Sequence, residues 1–305
     1  MNLSIVTTLY NSEETISEFY ERVTKVAEQI TTEFEIVMVD DGSRDRSLEI
    51  ASALAQKDRR VTVVELSRNF GHHKALMAGM QHSVGDLVFL IDVDLEETPE
   101  LLTLFFDQLQ SAAVDVVYGY QIRRKGGVFE RIGGMAAWFL VRKLYNADIP
   151  LNQCTVRLMR RAYVNALLLH KESNTVIGGL WAITGFRQIG MAVDKGYRRK
   201  SSYSASHRIR TLLNGVTSFS EAPLFLMIYL GMLFTLVSFF VGVFVILEKV
   251  LFRAQVGWAS LIVSIWFIGG VIVFCLGVIG VYVSRIFIET KQRPYIIVRR
   301  VIRKE

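Results

Sequence analysis

Two aspartates follow a strongly apolar run in the segment FLIDVDLEETPE, residues 89–100. If residues 86–94 form a strand, Asp92 and Asp94 point to the same side, because side chains alternate along a strand. Two neighbouring carboxylates repel each other, and a divalent cation relieves that repulsion. Mg²⁺ and Mn²⁺ prefer oxygen ligands and commonly join a protein carboxylate to substrate phosphates. The pair therefore predicts a metal site that binds a diphosphate, such as that of a nucleotide-sugar.

The elements that must position these acids alternate between strand and helix. Buried strands are predicted at residues 3–10, 35–43, 60–66, 86–94 and 114–120, with helical patterns between them. This alternation is typical of an α/β fold with a mostly parallel sheet.

Ligands of such sheets bind beyond the carboxyl ends of the strands. Asp40 and Asp41 end the second predicted strand, as Asp92 and Asp94 end the fourth. All four acids are therefore expected at one edge of the sheet. No G-x-G-x-x-G pattern follows the first strand, which disfavours a dinucleotide-binding fold.

Two long uncharged segments, Pro223 to Leu247 and Gly257 to Ser284, account for the high hydrophobic content of 51% and the mean hydropathy of +0.32. Each is longer than the ~18 apolar residues that indicate a spanning helix. We expect two transmembrane helices at about 224–247 and 258–284. The alternative is a pair of buried core helices, which would need a very large core.

Charge on either side of these segments predicts their orientation. The loop between them carries Lys249 and Arg253, offset by Glu248, whereas the tail after them is rich in basic residues: Arg285, Lys291, Arg293, Arg299, Arg300, Arg303 and Lys304. By the positive-inside rule both termini are expected in the cytoplasm. The first residues lack the basic and apolar regions of a signal peptide, so we expect the first 220 residues to stay on that side. The net charge of +6 suits an anionic membrane surface.

Residues 204–222 combine basic residues at the start with apolar residues at helical spacing. This pattern predicts an amphipathic helix in the membrane interface, with a helix packed on the globular domain as the alternative. Residues 130–145 form either a second interfacial helix or part of the core.

Cys154 lies in the globular part and Cys275 in a predicted span, so no disulfide is expected, and no Cys/His spacing indicates a metal site.

Four motifs occur in order: TTLYNSEETI, VMVDDGSRDRS, SRNFGHHKALMAGM and GDLVFLIDVDLEETPELL. In these motifs and their spacing the chain resembles family 2 glycosyltransferases with a GT-A fold. Within that family it is similar to polyprenyl-phosphate glycosyltransferases: the dolichol-phosphate mannose synthase-like enzymes and, more closely, the two-span bactoprenol glucosyltransferases of O-antigen modification. The resemblance covers nearly the whole chain, including SFSEAPL before the first predicted span.

The resemblance implies a membrane-bound, inverting glycosyltransferase of the bacterial inner membrane. It would move a sugar, glucose from UDP-glucose, onto undecaprenyl phosphate and would use Mg²⁺ or Mn²⁺. The expected organisation is a cytoplasmic GT-A domain at 1–203, an interfacial helix at 204–222, two transmembrane helices within 223–285 and a basic cytoplasmic tail at 286–305. The dolichol-phosphate mannose synthase-like alternative transfers another sugar to the polyprenyl phosphate.

The resemblance also implies roles for particular residues. Asp40 and Asp41 would recognise the nucleoside, and Asp92 and Asp94 would hold the metal and the diphosphate. Further contacts to the nucleotide-sugar would come from Thr8, Tyr10, Asn11, Glu13 and Lys74. The lipid phosphate would bind Arg123, Arg131, Arg198, Arg199, Lys200, Ser202 and Tyr203. The catalytic residues would be Asp94, Arg123 and Arg131.

Several of these assignments have simpler alternatives. Asp41-Gly42 is also ordinary turn chemistry. The residues from Arg123 to Lys125 also suit a solvated loop, and those from Arg198 to Lys200 an electrostatic contact with the membrane. His72 and His73 are not expected to bind a metal, because adjacent residues on a helix do not face one ligand.

The chain departs from the usual family pattern at four positions. Thr8 stands where a proline is common, Glu96 where a glutamine is frequent and Met135 where a serine is often found. Thr155 stands where many relatives carry an aspartate that is sometimes proposed as a catalytic base. The expected nucleophile is a phosphate monoester with a second pKa of about 6, so it is already ionised at neutral pH. A general base would add little, and orientation and charge neutralisation should dominate.

Two other functional classes are weighed against this interpretation. A processive polysaccharide synthase should carry a Q-x-x-R-W-type motif, which is absent from the sequence. A non-catalytic membrane adaptor with the same fold would explain Thr155.

The strand-like tail PYIIVRRVI can add to a neighbour's sheet, so a homo-oligomer, with a tetramer as one possibility, is expected. Nucleic acid is not expected as a partner.

Overall fold

The computed structural model describes residues 2–121, 153–171, 177–194, 222–252 and 258–304. These residues fall into two compact units. The first unit contains the described residues up to 194 together with 293–304, and the second contains those from 222 to 292.

The first unit alternates strands and helices. Its elements are β1 (Leu3–Leu9), α1 (Ile16–Ile30), β2 (Phe34–Asp40), α2 (Ser47–Lys57), β3 (Val61–Leu66), α3 (His72–His82), β4 (Leu87–Leu90), α4 (Leu101–Ser111), β5 (Val116–Tyr120), β6 (Gln153–Arg160), α5 (Arg161–Leu167), α6 (Ile177–Ile183), β7 (Gln188–Ala192) and β8 (Val298–Ile302).

One sheet joins all these strands in the order β7-β5-β6-β4-β1-β2-β3-β8. Its centre, from β4 through β1 and β2 to β3, is parallel, while β6 and β8 run antiparallel to their neighbours. Every residue of β1 is buried, as expected for a strand covered on both faces. The predicted α/β, GT-A-type fold is therefore confirmed.

Helices cover the sheet through apolar faces at helical spacing. On α1, Ile16, Phe19 and Val23 are fully buried, and on α4 the ring of Phe105 meets Phe89 of β4 edge-on at 6.4 Å between centroids. Helix α1 has Thr15 at its N-cap.

The fourth strand is shorter than the sequence indicates. It ends at Leu90, so Asp92 and Asp94 lie in the turn beyond the strand and not within it. Leu95 in this turn has a φ of 58°, a left-handed conformation that reverses the chain. The turn, and not strand alternation, therefore sets where the two carboxylates lie.

The C-terminal tail forms the predicted strand, but it pairs within its own chain. Strand β8 runs antiparallel to β3, with Glu65 opposite Arg300. Glu65 is buried and accepts hydrogen bonds from Arg299, at 3.1 Å, and from Arg300. The tail thus extends the sheet of the chain that carries it, and the homo-oligomer stays a prediction.

The second unit contains two long apolar helices, α7 (Ala222–Phe252) and α8 (Trp258–Thr290). The rings of Phe234 and Phe267 meet edge-on at 5.5 Å between centroids. Within the described residues one segment, Phe267–Thr290, is long and apolar enough to cross a membrane by length and composition. Residues 204–221 of the predicted interfacial helix, and all of 130–145, lie outside the described residues.

Gly42 lies where the chain turns away from β2, with a φ of 72°. A Cβ on this residue would come within 2.7 Å of the backbone nitrogen of Asn69. We expect Gly42→Ala to lower the free energy of unfolding by about 1–3 kcal/mol, because it forces both a strained φ and a backbone clash. Thermal unfolding of the full chain in detergent measures this. Gly178→Ala is the matched control, since a Cβ there meets nothing within 4 Å; equal losses would contradict the explanation.

Candidate active site

Three adjacent parallel strands bring their carboxyl ends to one edge of the sheet. Leu9 of β1 is paired with Asp40 of β2, and Val6 of β1 with Leu90 of β4. The chain segments that follow β1, β2 and β4 therefore meet at this edge. Ligands of parallel sheets bind at this kind of edge.

Asp40 and Asp41 are both almost fully buried at the end of β2. Asp40 Oδ2 accepts the backbone N–H groups of Gly42 and Ser43 at 3.2 and 3.3 Å. Its buried Oδ1 has no hydrogen-bond partner among the residues that the structure describes. Burial raises the pKa of Asp40, because the charged carboxylate loses hydration.

Asp41 holds the loop that leads into α3. Its two carboxylate oxygens accept the backbone N–H groups of Phe70 and Gly71 at 2.7 and 3.0 Å. Burial raises its pKa, and the two hydrogen bonds oppose that rise. Asp41 therefore has a structural task at this edge, whatever it does for a nucleoside.

Asp40 is expected to make stability depend on pH. Its pKa in the folded chain lies above the ordinary 3.8, so its protonation stabilises the fold below pH 3.8, and that contribution is lost as pH rises through the raised pKa. Asp40→Asn should remove this loss and raise the unfolding midpoint at pH 7 relative to wild type. Thermal melts of both proteins between pH 4 and 7 check the sign. A midpoint gap that stays constant across this range would contradict the prediction.

The loop after β1 is tied to the loop after β2. Asn11 Oδ1 accepts the N–H of Arg44 at 2.9 Å, and Glu13 Oε2 accepts that of Arg46 at 2.9 Å. Tyr10, between β1 and these anchors, leaves 48% of its surface exposed. Asn11 and Glu13, which the sequence predicts as contacts to the nucleotide-sugar, thus hold the backbone of the loop after β2. Of these predicted contacts after β1, Tyr10 is the residue with an exposed aromatic ring.

The acidic turn after β4 contacts α3. Asp94 Oδ1 accepts the N–H of Glu96 at 3.1 Å, which shapes the turn. His72 Nε2 lies 3.5 Å from Asp92 Oδ1, and His72 Nδ1 lies 3.0 Å from the hydroxyl of Thr8. The sequence does not reveal that the ring of His72 lies between Thr8 and Asp92, because these residues are 64 and 20 positions away from it in the chain.

The donor set of the acidic turn fits a hard divalent cation, since two carboxylates one residue apart supply oxygen ligands. Among the residues that the structure describes, no group of three or more His, Cys, Asp or Glu side chains forms a metal cluster. Asp92 and Asp94 would therefore hold a metal together with oxygens from the substrate, as Mg²⁺ commonly does.

A buried arginine on β6 is a feature that the sequence reasoning missed. Arg157 has no exposed surface, and its guanidinium carbon lies 3.0 Å from the centroid of the Trp181 ring. Its Nη2 donates to Gln153 Oε1 at 3.2 Å, and buried Glu97 accepts the N–H of Val156 at 3.1 Å. Burial lowers the pKa of Arg157, because the cation loses hydration. An arginine inside the apolar run TVRLM was the available signal.

Strand β6 also carries Thr155 to the site edge. Leu90 of β4 is the last residue paired with β6, opposite Arg157. Thr155 therefore lies on β6 two residues beyond the end of this pairing.

The remaining predicted site residues lie outside the residues that the structure describes. They are Arg123, Arg131, Arg198, Arg199, Lys200, Ser202 and Tyr203. Lys74, on α3, is described: its Nζ lies 5.1 Å from the centroid of the Tyr295 ring in the C-terminal segment.

Comparison with known proteins identifies the family. The model of glycosyl transferase family 2 matches residues 4–168. A protein of Mycobacterium tuberculosis named as a glycosyltransferase is 48% identical over 302 residues, covering 99% of this chain and 88% of the relative. The prophage bactoprenol glucosyl transferase homolog of Escherichia coli is 35% identical, covering 99% of both chains. The SfII prophage-derived bactoprenol glucosyl transferase of Shigella flexneri is 35% identical, covering 98% of both. With its α/β sheet, its acids at the carboxyl edge and these matches, the chain belongs to glycosyltransferase family 2.

Proposed function

We propose that this glycosyltransferase moves glucose from UDP-glucose onto undecaprenyl phosphate and so supplies a lipid-linked sugar for the modification of O-antigen or another surface glycan. The observation that carries the proposal is similarity over essentially the full length to relatives named bactoprenol glucosyl transferase. That similarity extends beyond the matched family domain, which ends at residue 168, into the segments that follow it.

The donor nucleotide-sugar is proposed to bind at the carboxyl edge of the sheet. Asp40, whose buried Oδ1 has no hydrogen-bond partner within the described part of the chain, and the exposed ring of Tyr10 are suited to a nucleoside. Asp92 and Asp94 would hold Mg²⁺ or Mn²⁺ and, through it, the diphosphate. The other proposed donor contacts lie in or shortly after β1, directly after β2 and in α3: Thr8, Asn11, Glu13, Asp41 and Lys74.

The proposed reaction is an in-line displacement at the anomeric carbon of the sugar. An oxygen of the acceptor phosphate forms a bond to this carbon, the bond to the nucleoside diphosphate breaks, and its electron pair leaves with the diphosphate, so the configuration inverts. A bound Mg²⁺ or Mn²⁺ would neutralise charge on the leaving diphosphate. With a second pKa of about 6, the acceptor phosphate needs no base at neutral pH, which is compatible with Thr155 in place of an acid.

The acceptor is proposed to reach the site from the membrane. Arg123, Arg131 and the segment from Arg198 to Tyr203 would bind its phosphate, and Arg123 and Arg131 would also balance charge in the transition state. The proposed organisation keeps 1–203 as the catalytic domain, 204–222 as the interfacial helix, 223–285 as a two-helix hairpin and 286–305 as the tail. The catalytic domain and both termini would face the cytoplasm of a bacterial inner membrane. The apolar helices α7 and α8 support this hairpin, and a homo-oligomer remains part of the proposal.

Incorporation of labelled sugar tests the function directly. Membranes containing the full chain are incubated with radiolabelled UDP-glucose and undecaprenyl phosphate, and the lipid fraction is extracted and counted. A glycolipid that depends on both the chain and added Mn²⁺ is expected. A panel of UDP-galactose, UDP-N-acetylglucosamine and GDP-mannose identifies the donor. Labelling by one of these in place of UDP-glucose would favour the alternative donor, and no glycolipid with any of them would contradict the proposal.

A further inference from the structure

We propose that His72 is a positioning residue that orients the carboxylate of Asp92, and that the hydroxyl of Thr8 fixes the imidazole tautomer that does so. This inference rests on the proposed function, which assigns Asp92 to the metal and the diphosphate. It adds two residues, from two other chain segments, to the control of that carboxylate.

The imidazole of His72 stands between two strand ends. Its Nδ1 lies 3.0 Å from Thr8 Oγ1 at the end of β1, and its Nε2 lies 3.5 Å from Asp92 Oδ1 beyond β4. The second separation is longer than the ~2.9 Å of a closed N–H···O hydrogen bond. Contacts of catalytic groups are often long before the substrate complex forms, and tighten within it.

The chemistry of the three groups determines how they can connect. A neutral imidazole has one N–H donor and one acceptor nitrogen, and an ionised carboxylate only accepts. A bond to Asp92 therefore requires the proton on Nε2. Nδ1 must then accept, and the Thr8 hydroxyl can donate to it. A proline or valine at position 8 has no side-chain donor, so it cannot select this tautomer.

The backbone in front of His72 is fixed to the sheet. The two oxygens of Asp41 accept the N–H groups of Phe70 and Gly71. Gly42 allows this loop to approach closely, because a Cβ there would meet the Asn69 nitrogen at 2.7 Å. Gly71, with a φ of 97°, then turns the chain into α3, whose first residue is His72. His72 is thus the first residue of a helix whose preceding loop is held by hydrogen bonds to Asp41, directly after β2.

In known metal sites, groups that do not touch the metal hydrogen-bond to its ligands and orient them, and His72 is proposed to do this for Asp92. Carboxylates that ligate a metal are themselves hydrogen-bonded, and loss of such a partner typically costs about 10–100-fold in metal affinity or activity. Because the ring of His72 lies 3.5 Å from the Asp92 carboxylate, loss of the ring should act through the metal that Asp92 is proposed to hold. His72→Phe and Thr8→Val should both weaken Mn²⁺ binding.

The experiment measures Mn²⁺ affinity of the full chain in detergent by electron paramagnetic resonance of free Mn²⁺, beside kcat and KM for UDP-glucose. We expect an about 10-fold loss of Mn²⁺ affinity in His72→Phe and in Thr8→Val. The double variant should lose no more than His72→Phe alone, because both act through one ring. Thr8→Ser, which keeps the hydroxyl, should bind Mn²⁺ as wild type, and His72→Gln, which keeps a side-chain N–H donor, should recover part of the loss.

His82→Phe is the matched control, since His82 ends the same helix and its Nδ1 contacts the carbonyl oxygen of Ala78 at 2.8 Å. It should leave Mn²⁺ affinity and kcat unchanged. Wild-type Mn²⁺ affinity in His72→Phe, or losses that add in the double variant, would overturn the inference. Asp92→Ala measured in parallel separates the two proposals: if it alone loses Mn²⁺, the metal site stands and the role of His72 is wrong. If Asp92→Ala binds Mn²⁺ as wild type does, the metal assignment fails and the role of His72 fails with it.

Discussion

Asp92→Ala is expected to lower kcat for sugar transfer by about 10²–10³-fold, the range found when one preorganised electrostatic contact to a transition state is lost. Asp92 lies in the turn beyond β4, where it is proposed to hold the metal that neutralises the leaving diphosphate. Initial rates of glycolipid formation with UDP-glucose, at an Mn²⁺ concentration that saturates the wild-type chain, measure the effect. Raising Mn²⁺ should recover part of the rate, because Asp94 remains as a ligand.

The matched control for this change is Asp107→Ala. Asp107 is an exposed aspartate on α4, so its loss should leave kcat within twofold of wild type, as is usual for surface substitutions. A fully active Asp92→Ala would show that this carboxylate does not hold the metal. An equal loss in both variants would point instead to damage of the fold.

Arg157→Ala is expected to produce the largest loss of stability, about 3 kcal/mol in the free energy of unfolding of the first unit. Arg157 is fully buried and stacks on Trp181, so truncation leaves a cavity and removes the aliphatic packing of the side chain. It also leaves Gln153 Oε1 without its donor. Urea unfolding of the full chain in detergent, followed by tryptophan fluorescence, measures the loss.

Arg157→Met separates packing from charge. Methionine fills most of the same volume and carries no charge to desolvate, so it should recover most of the stability that alanine loses. A methionine variant as unstable as the alanine variant would show that the cation itself stabilises the fold, through the nearby carboxylate of Glu97.

The first five strands could be predicted because each is an apolar run that the sheet buries on both faces. The end of β4 was wrong by four residues, since Ile91 and Val93 extend the apolar pattern while the chain has already turned. Strands β6 and β7 were not predicted, because a buried Arg157 and the short segment Gln188–Ala192 hide the strand pattern. Their place in the sheet follows from antiparallel and parallel pairing with β5.

The C-terminal strand β8 was predicted as a strand, but its partner in the sheet was not. Its composition was strand-like, and pairing with another chain was the predicted use. The structure pairs it with β3, where the carboxylate of Glu65 is buried and meets Arg299 and Arg300. No pattern in either segment reveals this partner, because more than two hundred residues separate them.

By itself the sequence determined the fold class, the family motifs and the edge at which Asp40, Asp41, Asp92 and Asp94 gather. The alternation of strands and helices along the chain is visible in local apolar patterns, and these acids directly follow two of the predicted strands. Only the tertiary structure decided which groups those acids meet: the loop N–H groups for Asp41, and His72, with Thr8 behind it, for Asp92. These contacts join residues that are 20 to 64 positions apart in the chain, and their distances depend on how helix α3 and the turn after β4 pack, which no local pattern encodes.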